Sequence, residues 1–161
     1  MKFLTKSQKK VIPTVYISVG PPASGKTYWW KQGIELGTIP EKLTMYINPD
    51  EQAANFLIKE DEVYRLSSEY CLSLLNNSII VGLPIIYLDG YFITKNSREP
   101  IIKIAKKNNY KAVCLHFSVD QEVCLERSPE KKEKIILVNS MIDKEPPSLE
   151  EGFDSIWQIK K

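Results

Sequence analysis

The run Gly20-Pro21-Pro22-Ala23-Ser24-Gly25-Lys26-Thr27 carries the strongest chemical signal in the sequence. Its glycines let the backbone turn tightly, so that successive N–H groups point inward and form a nest for an anion. A lysine and a threonine follow the second glycine directly. The lysine brings a point charge to the phosphates, and the threonine brings a hydroxyl that can sit on a cation. The same letters can also arise as a glycine-rich turn with a surface lysine, so the setting decides. Here the run follows an apolar, β-branched segment, Val11 to Val19, and opens a helical pattern from Lys26 to Leu36. The helix start adds the positive end of its dipole. In that setting the eight residues are expected to hold ATP, with Lys26 at the β- and γ-phosphates and Thr27 on Mg²⁺.

Other side chains could complete a transfer site. Asp89 closes the apolar run Pro84 to Leu88. An acid at the end of such a strand suits the water shell of the same Mg²⁺. Asp-Gly also favours turns, but strand and loop must be neighbours around one ion, and that favours the metal role. Asp50 follows the second strand segment and is the expected general base, a carboxylate able to take the proton of an acceptor hydroxyl. Asn48, Pro49 and Glu51 around it also read as a helix start with a capping box. The two readings are compatible, because a capped helix would hold Asp50 rigidly. Arg127, Lys131 and Lys132 form a cationic cluster where a lid could bring positive charge onto the transferring phosphoryl group. Lys131 is expected against the nucleotide. For the lysines, a solvated charged turn is an equal alternative. Arg98 is a weaker candidate for contact with an acceptor phosphate.

The elements that must position these residues alternate between strand and helix. Strands are predicted at Val11–Val19, Leu43–Ile47, Pro84–Leu88, Ala112–Phe117 and Ser155–Ile159. Helices are predicted at Lys26–Leu36, from Asn48 onward, over Asp61–Val81, over Glu99–Asn108, from the Asp120 cap to Arg127, and over Ile135–Ile142. In the long third helix Val63, Leu66, Tyr70 and Leu74 recur at helical spacing. Alternation of this kind implies a parallel sheet covered by helices on both faces, with ligands beyond the carboxyl ends of the strands. The expected fold is that of a P-loop NTPase: a central parallel sheet of about five strands in a single domain, 11–161, after a flexible basic tail, 1–10.

Composition limits the remaining classes. The 161 residues are 43% hydrophobic and 26% charged, with a net charge of +2, too small to imply nucleic-acid binding by itself. Cys71, Cys114 and Cys124 have neither metal-ligand nor redox-motif spacing and read as free thiols in a reducing cytoplasm. The single histidine, His116, lies in an apolar run and reads as a core or strand-edge residue. Neither a signal peptide nor a membrane-spanning stretch is apparent.

Together the segments VYISVGPPASGKTYWW, YINPDE, IIYLDGYF, HFSVDQEVCLERSPEKK and PPSLEEGFDSIWQI resemble the kinase domain of phage-type polynucleotide 5′-hydroxyl kinases, within the small P-loop kinases. The resemblance implies transfer of phosphate from ATP to a 5′-hydroxyl end of RNA or DNA. It implies Lys26 and Thr27 on ATP and Mg²⁺, Asp50 as general base, Arg127 with Lys131 as lid cations, and Asp89 near the acceptor or metal. The chain departs from the family pattern where an arginine would follow the catalytic acid by one turn: that place is Ala53, beside Gln52. It departs again at Asp89-Gly90-Tyr91, where a small polar residue and an amide are usual. A kinase of a small molecule or nucleotide on the same scaffold, and a non-catalytic ATP-binding module, are the alternatives. An AAA-type motor is disfavoured, because the length leaves no space for a helical lid domain.

Overall fold

The computed structural model describes residues 11–49, 51 and 60–160. Five apolar segments form the strands β1 (Thr14–Val19), β2 (Thr44–Ile47), β3 (Ile85–Leu88), β4 (Lys111–Phe117) and β5 (Ser155–Ile159). They make one sheet in the order β2-β3-β1-β4-β5, and every neighbouring pair is parallel. The helices are α1 (Lys26–Glu35), α2 (Glu60–Ile80), α3 (Lys95–Lys107), α4 (Gln121–Arg127) and α5 (Lys132–Lys144).

Period-2 alternation assigns the strand residues to two buried faces. Val15, Ile17, Val19, Ile86, Leu88 and Cys114 pack with Cys71 and Leu75 of α2, Ile101 and Ala105 of α3, and Val138 and Ile142 of α5. The opposite face carries Tyr87, Val113, Leu115 and Phe117, which pack against Trp30 of α1. Because both faces are covered, the strands are apolar at nearly every position, as parallel sheets require. The sheet of five parallel strands with helices on both faces is the P-loop kinase-like fold expected from the sequence.

Several details differ from the sequence reading, and three of them have a clear physical reason. First, α3 begins at Lys95, a turn earlier than Glu99. The Thr94 side chain accepts the Ser97 N–H at 3.2 Å, and the Ser97 hydroxyl accepts the Thr94 N–H at 3.2 Å. This capping box starts the helix and leaves Pro100 inside it. Secondly, the buried line of α2 runs through Ser67, Cys71, Leu75 and Ser78, while Tyr70 is exposed. The buried face is therefore rotated from the one that Leu66, Tyr70 and Leu74 would define. Thirdly, Arg98 is not an acceptor contact. It is fully buried and makes a bidentate ion pair with Glu151, at 2.7 Å through Nε and 2.9 Å through Nη2. Its remaining donors reach the carbonyls of Phe92, Ile93 and Glu145. All five guanidinium N–H groups are thus engaged, with no donor left for a ligand.

The Arg98–Glu151 pair ties α3 to the segment that precedes β5. Asp154 continues this connection, accepting from Lys106 Nζ at 2.7 Å and from the Ala112 N–H at 2.8 Å. Arg98→Met would strand the Glu151 carboxylate without its partner. It is expected to lower the unfolding free energy by about 3–5 kcal/mol in urea denaturation. Nucleotide affinity measured well below the melting temperature should be unchanged, which separates this role from ligand contact.

Candidate active site

The loop between β1 and α1 is shaped by backbone conformations that few residues adopt. Ala23 and Gly25 both have positive φ, 61° and 93°. Alternation of this kind turns consecutive N–H groups to one side. Ala23 pays a steric cost there, of the kind found at ligand-binding turns. Pro21 and Pro22 have no N–H, and the Ser24 N–H is turned to the Pro21 carbonyl at 3.4 Å, so an anion on this loop depends on its other backbone donors. Gly20 meets a different constraint. A Cβ at this position would lie 2.9 Å from both Phe117 Cβ and Ser24 Oγ.

Lys26 is buried and its ammonium folds back onto its own loop. Nζ donates to the carbonyls of Gly20 at 2.9 Å and Pro21 at 2.6 Å, with Ser24 Oγ at 3.4 Å. It also lies 5.1 Å from the centre of the Tyr91 ring. Lys134, from the first turn of α5, approaches the same ring at 4.6 Å.

Thr27 and Asp89 meet directly: Thr27 Oγ1 donates to Asp89 Oδ2 at 2.6 Å. Asp89 is buried, and β3 is fixed beneath it. The Asp89 N–H donates to the Ile47 carbonyl at 2.8 Å. Ser18 Oγ reaches the carbonyls of Leu88 and Gly90 and accepts the Gly90 N–H at 3.0 Å. The same carboxylate oxygen accepts from the Tyr46 hydroxyl at 2.5 Å. Burial, followed by that hydrogen bond to Asp89, pushes the Tyr46 hydroxyl above its ordinary range. It therefore stays protonated and donates. Asn48 Nδ2 donates to the Tyr46 oxygen at 3.1 Å, and Asn48 Oδ1 accepts the Glu51 N–H at 3.3 Å. Asn48 is thus the expected helix cap.

A cavity of about 280 Å³ collects these groups. Its walls are Pro22, Ala23, Gly25, Lys26, Thr27, Tyr28, Asn48, Asp89, Gly90, Tyr91 and Lys131. Gly20, Pro21 and Ser24 shape the loop from behind. Arg127 stands at its outer side, where Nη1 donates to the Ala23 carbonyl at 3.2 Å. Lys132 opens α5 on the exposed side. Asp50 lies outside the described residues, as do Gln52 and Ala53. Sequence reasoning did not single out Tyr46 or Ser18. Their importance comes from the parallel register, which brings β2 and β1 alongside the end of β3.

The oxygen donors fit Mg²⁺, a hard cation that keeps several waters and takes few protein ligands. The Thr27 hydroxyl and the Asp89 carboxylate would hold it together with phosphate oxygens. Among the described residues no group of three or more His, Cys, Asp or Glu could bind a metal without such help. Cys71, Cys114 and Cys124 are free and buried, and burial pushes the Cys114 thiol up to about 12. His116 is half-buried, and burial lowers its pKa. Among the described residues no helix is long and apolar enough to cross a membrane.

Fold and site define a P-loop kinase-like domain. The chain matches the AAA domain family AAA_33 over residues 15–140 and belongs to that family. No curated protein sequence matches it. Among solved structures it is similar to shikimate kinase from Acinetobacter baumannii in complex with shikimate. The identity is 14% and the TM-score 0.61, covering 94% of this chain and 86% of that one. It is also similar to a chain of the PezAT toxin–antitoxin system of Streptococcus pneumoniae, at 15% identity and a TM-score of 0.65, covering 92% and 67%. A chain of the Pnkp1/Rnl/Hen1 RNA repair complex matches at 17% identity and a TM-score of 0.60, covering 94% of this chain and 49% of that one. At these identities the likeness is one of fold.

Gly20→Ala places a methyl group against Phe117 Cβ, which cannot yield as a flexible side-chain end can. Overpacking of roughly 1–3 kcal/mol is expected to displace the loop and weaken ADP binding by calorimetry. Undiminished ADP affinity would show that the close approach of Gly20 to β4 does not shape the phosphate cradle.

Proposed function

We propose that this domain transfers the γ-phosphate of ATP to the 5′-hydroxyl end of RNA or DNA. The carrying observation is that Asn48, within the Tyr-Ile-Asn-Pro-Asp-Glu run, lines the same cavity as Lys26, Thr27, Asp89 and Lys131. The residue two places on is Asp50. The run that resembles the catalytic segment of polynucleotide kinases therefore begins at the phosphate site itself. The similarity in fold to a chain of an RNA repair complex supports the same reading.

In this reading the backbone N–H groups of the loop and the Lys26 ammonium bind the β- and γ-phosphates. Thr27 and Asp89 would hold Mg²⁺, which when bound would neutralise charge on the phosphate oxygens. The 5′-oxygen attacks the γ-phosphorus, the bond to the β–γ bridging oxygen breaks, and ADP leaves. Asp50 takes the hydroxyl proton as the new P–O bond forms. Arg127 and Lys131 place positive charge beside the transferring group. A small-molecule or nucleotide acceptor is the competing reading, favoured by the modest cavity and by the likeness in fold to shikimate kinase.

Radiolabelled ATP offered with 5′-hydroxyl RNA, 5′-hydroxyl DNA and a metabolite panel separates the two. Label on oligonucleotide ends is the expected result; label on a metabolite alone overturns the polynucleotide reading. Asp50→Asn is expected to retain ATP affinity and to lower transfer by roughly 10²–10⁴. Unchanged turnover would remove Asp50 from the mechanism. Lys26→Ala is expected to lose at least about 10² in turnover, and a fully active variant would contradict the donor site.

A further inference from the structure

The donor site contains one polar contact that phosphate binding alone does not require. Asp89 Oδ2 accepts two hydroxyl protons at once, from Thr27 at 2.6 Å and from Tyr46 at 2.5 Å. We propose that Tyr46 is a positioning residue for Mg²⁺: its hydroxyl clamps the Asp89 carboxylate so that Asp89 and Thr27 present their oxygens to the ion together.

The direction of every bond in the chain is determined by chemistry. A carboxylate only accepts, and an amide nitrogen only donates. Asn48 Nδ2 donates to the Tyr46 oxygen at 3.1 Å, so the single Tyr46 proton is left for Asp89. The Thr27 proton also points at Asp89, which turns the Thr27 lone pairs away from the carboxylate. A carboxylate held by Thr27 alone could rotate about that one contact. A second donor on the same oxygen restrains where Oδ2 sits, so the ion meets a preformed pair of oxygens.

Tyr46 is itself immobilised. Its ring stacks on Trp30 at 5.6 Å and on Tyr87 at 5.9 Å. The relay also extends the other way, because Asn48 Oδ1 accepts the Glu51 N–H at 3.3 Å. The position of the Asp89 carboxylate is therefore tied through Tyr46 and Asn48 to Glu51. This inference rests on the assignment of Thr27 and Asp89 to Mg²⁺ and is independent of which acceptor is used.

The test needs no acceptor and no turnover. ADP binding is measured by calorimetry in EDTA and across a Mg²⁺ titration, for the wild type, Tyr46→Phe and Tyr87→Phe. Tyr46→Phe keeps the stacked ring and loses the hydroxyl, and with it both the donor to Asp89 and the acceptor of Asn48 Nδ2. It is expected to bind ADP normally in EDTA and to need roughly tenfold more Mg²⁺ for half of the metal effect, as for loss of an outer-shell partner. Tyr87→Phe removes a hydroxyl from the same stack, one that reaches the Lys26 carbonyl and not Asp89. It is expected to leave the Mg²⁺ midpoint unchanged. An unmoved midpoint in Tyr46→Phe, an equal shift in both variants, or an ADP loss that is the same with and without Mg²⁺ overturns the proposal. Should Tyr46→Phe fail to fold, Asn48→Ala decides. It leaves all three rings in place, removes the donor that orients the Tyr46 hydroxyl, and is expected to raise the midpoint roughly threefold. No shift there overturns the proposal.

Discussion

The parallel pairing of β1 with β3 is the constraint on which the rest of the site depends. Thr14 stands opposite Ile85 and Ile17 opposite Leu88, so the loop after Val19 and the acid after Leu88 emerge at the same edge. The Ser18 hydroxyl fastens that register from inside the sheet, bonding the backbone on both sides of Asp89. Thr27 and Asp89, 62 residues apart in sequence, then meet at 2.6 Å. A slip of one residue would turn every strand side chain to the other face. It would separate the two oxygens and bury the wrong set of residues together.

The two faces of the sheet do different work. Aliphatic residues fill the face under α2, α3 and α5, where burial of each large side chain is worth roughly 1.5–3 kcal/mol. Aromatic rings dominate under α1, where Trp30 stacks on Tyr87 at 4.7 Å. Rings are stiff and carry polar tips, and here the Tyr46 and Tyr87 hydroxyls reach up to the phosphate edge. The same layer thus packs the core and braces Lys26 and Asp89, two residues that line the cavity. Arg98 plays the corresponding part on the far side, where it holds the last strand in place through Glu151.

Much of this was legible in the sequence because it is written locally. The alternation of apolar strands with helical patterns gives the sheet, and the Gly20–Thr27 run after a strand gives the phosphate loop. Asp89 could be read from its place at a strand end. What could not be read depends on contacts between distant elements. Arg98 sits in an exposed-looking charged stretch, Ser97-Arg98-Glu99, and only Glu151, 53 residues later, explains its burial. Tyr46 resembles any strand aromatic until β2 lies beside β3. The start of α3 is set by the Thr94–Ser97 capping box, a turn before the expected Glu99, and Pro100 is accommodated inside the helix.

The ammonium of Lys26 gives the site a chemical preference of its own. It already bonds to two carbonyls of its loop, so an incoming ligand does not fill a void. It competes with neutral dipoles for a cation that is already solvated by protein. A uncharged sugar or base offers nothing better than those carbonyls, whereas a polyphosphate, with full negative charges, does. Discrimination at this edge is therefore a matter of charge density: the loop sorts molecules by how strongly they can outbid its own backbone, before any feature of the nucleoside is read.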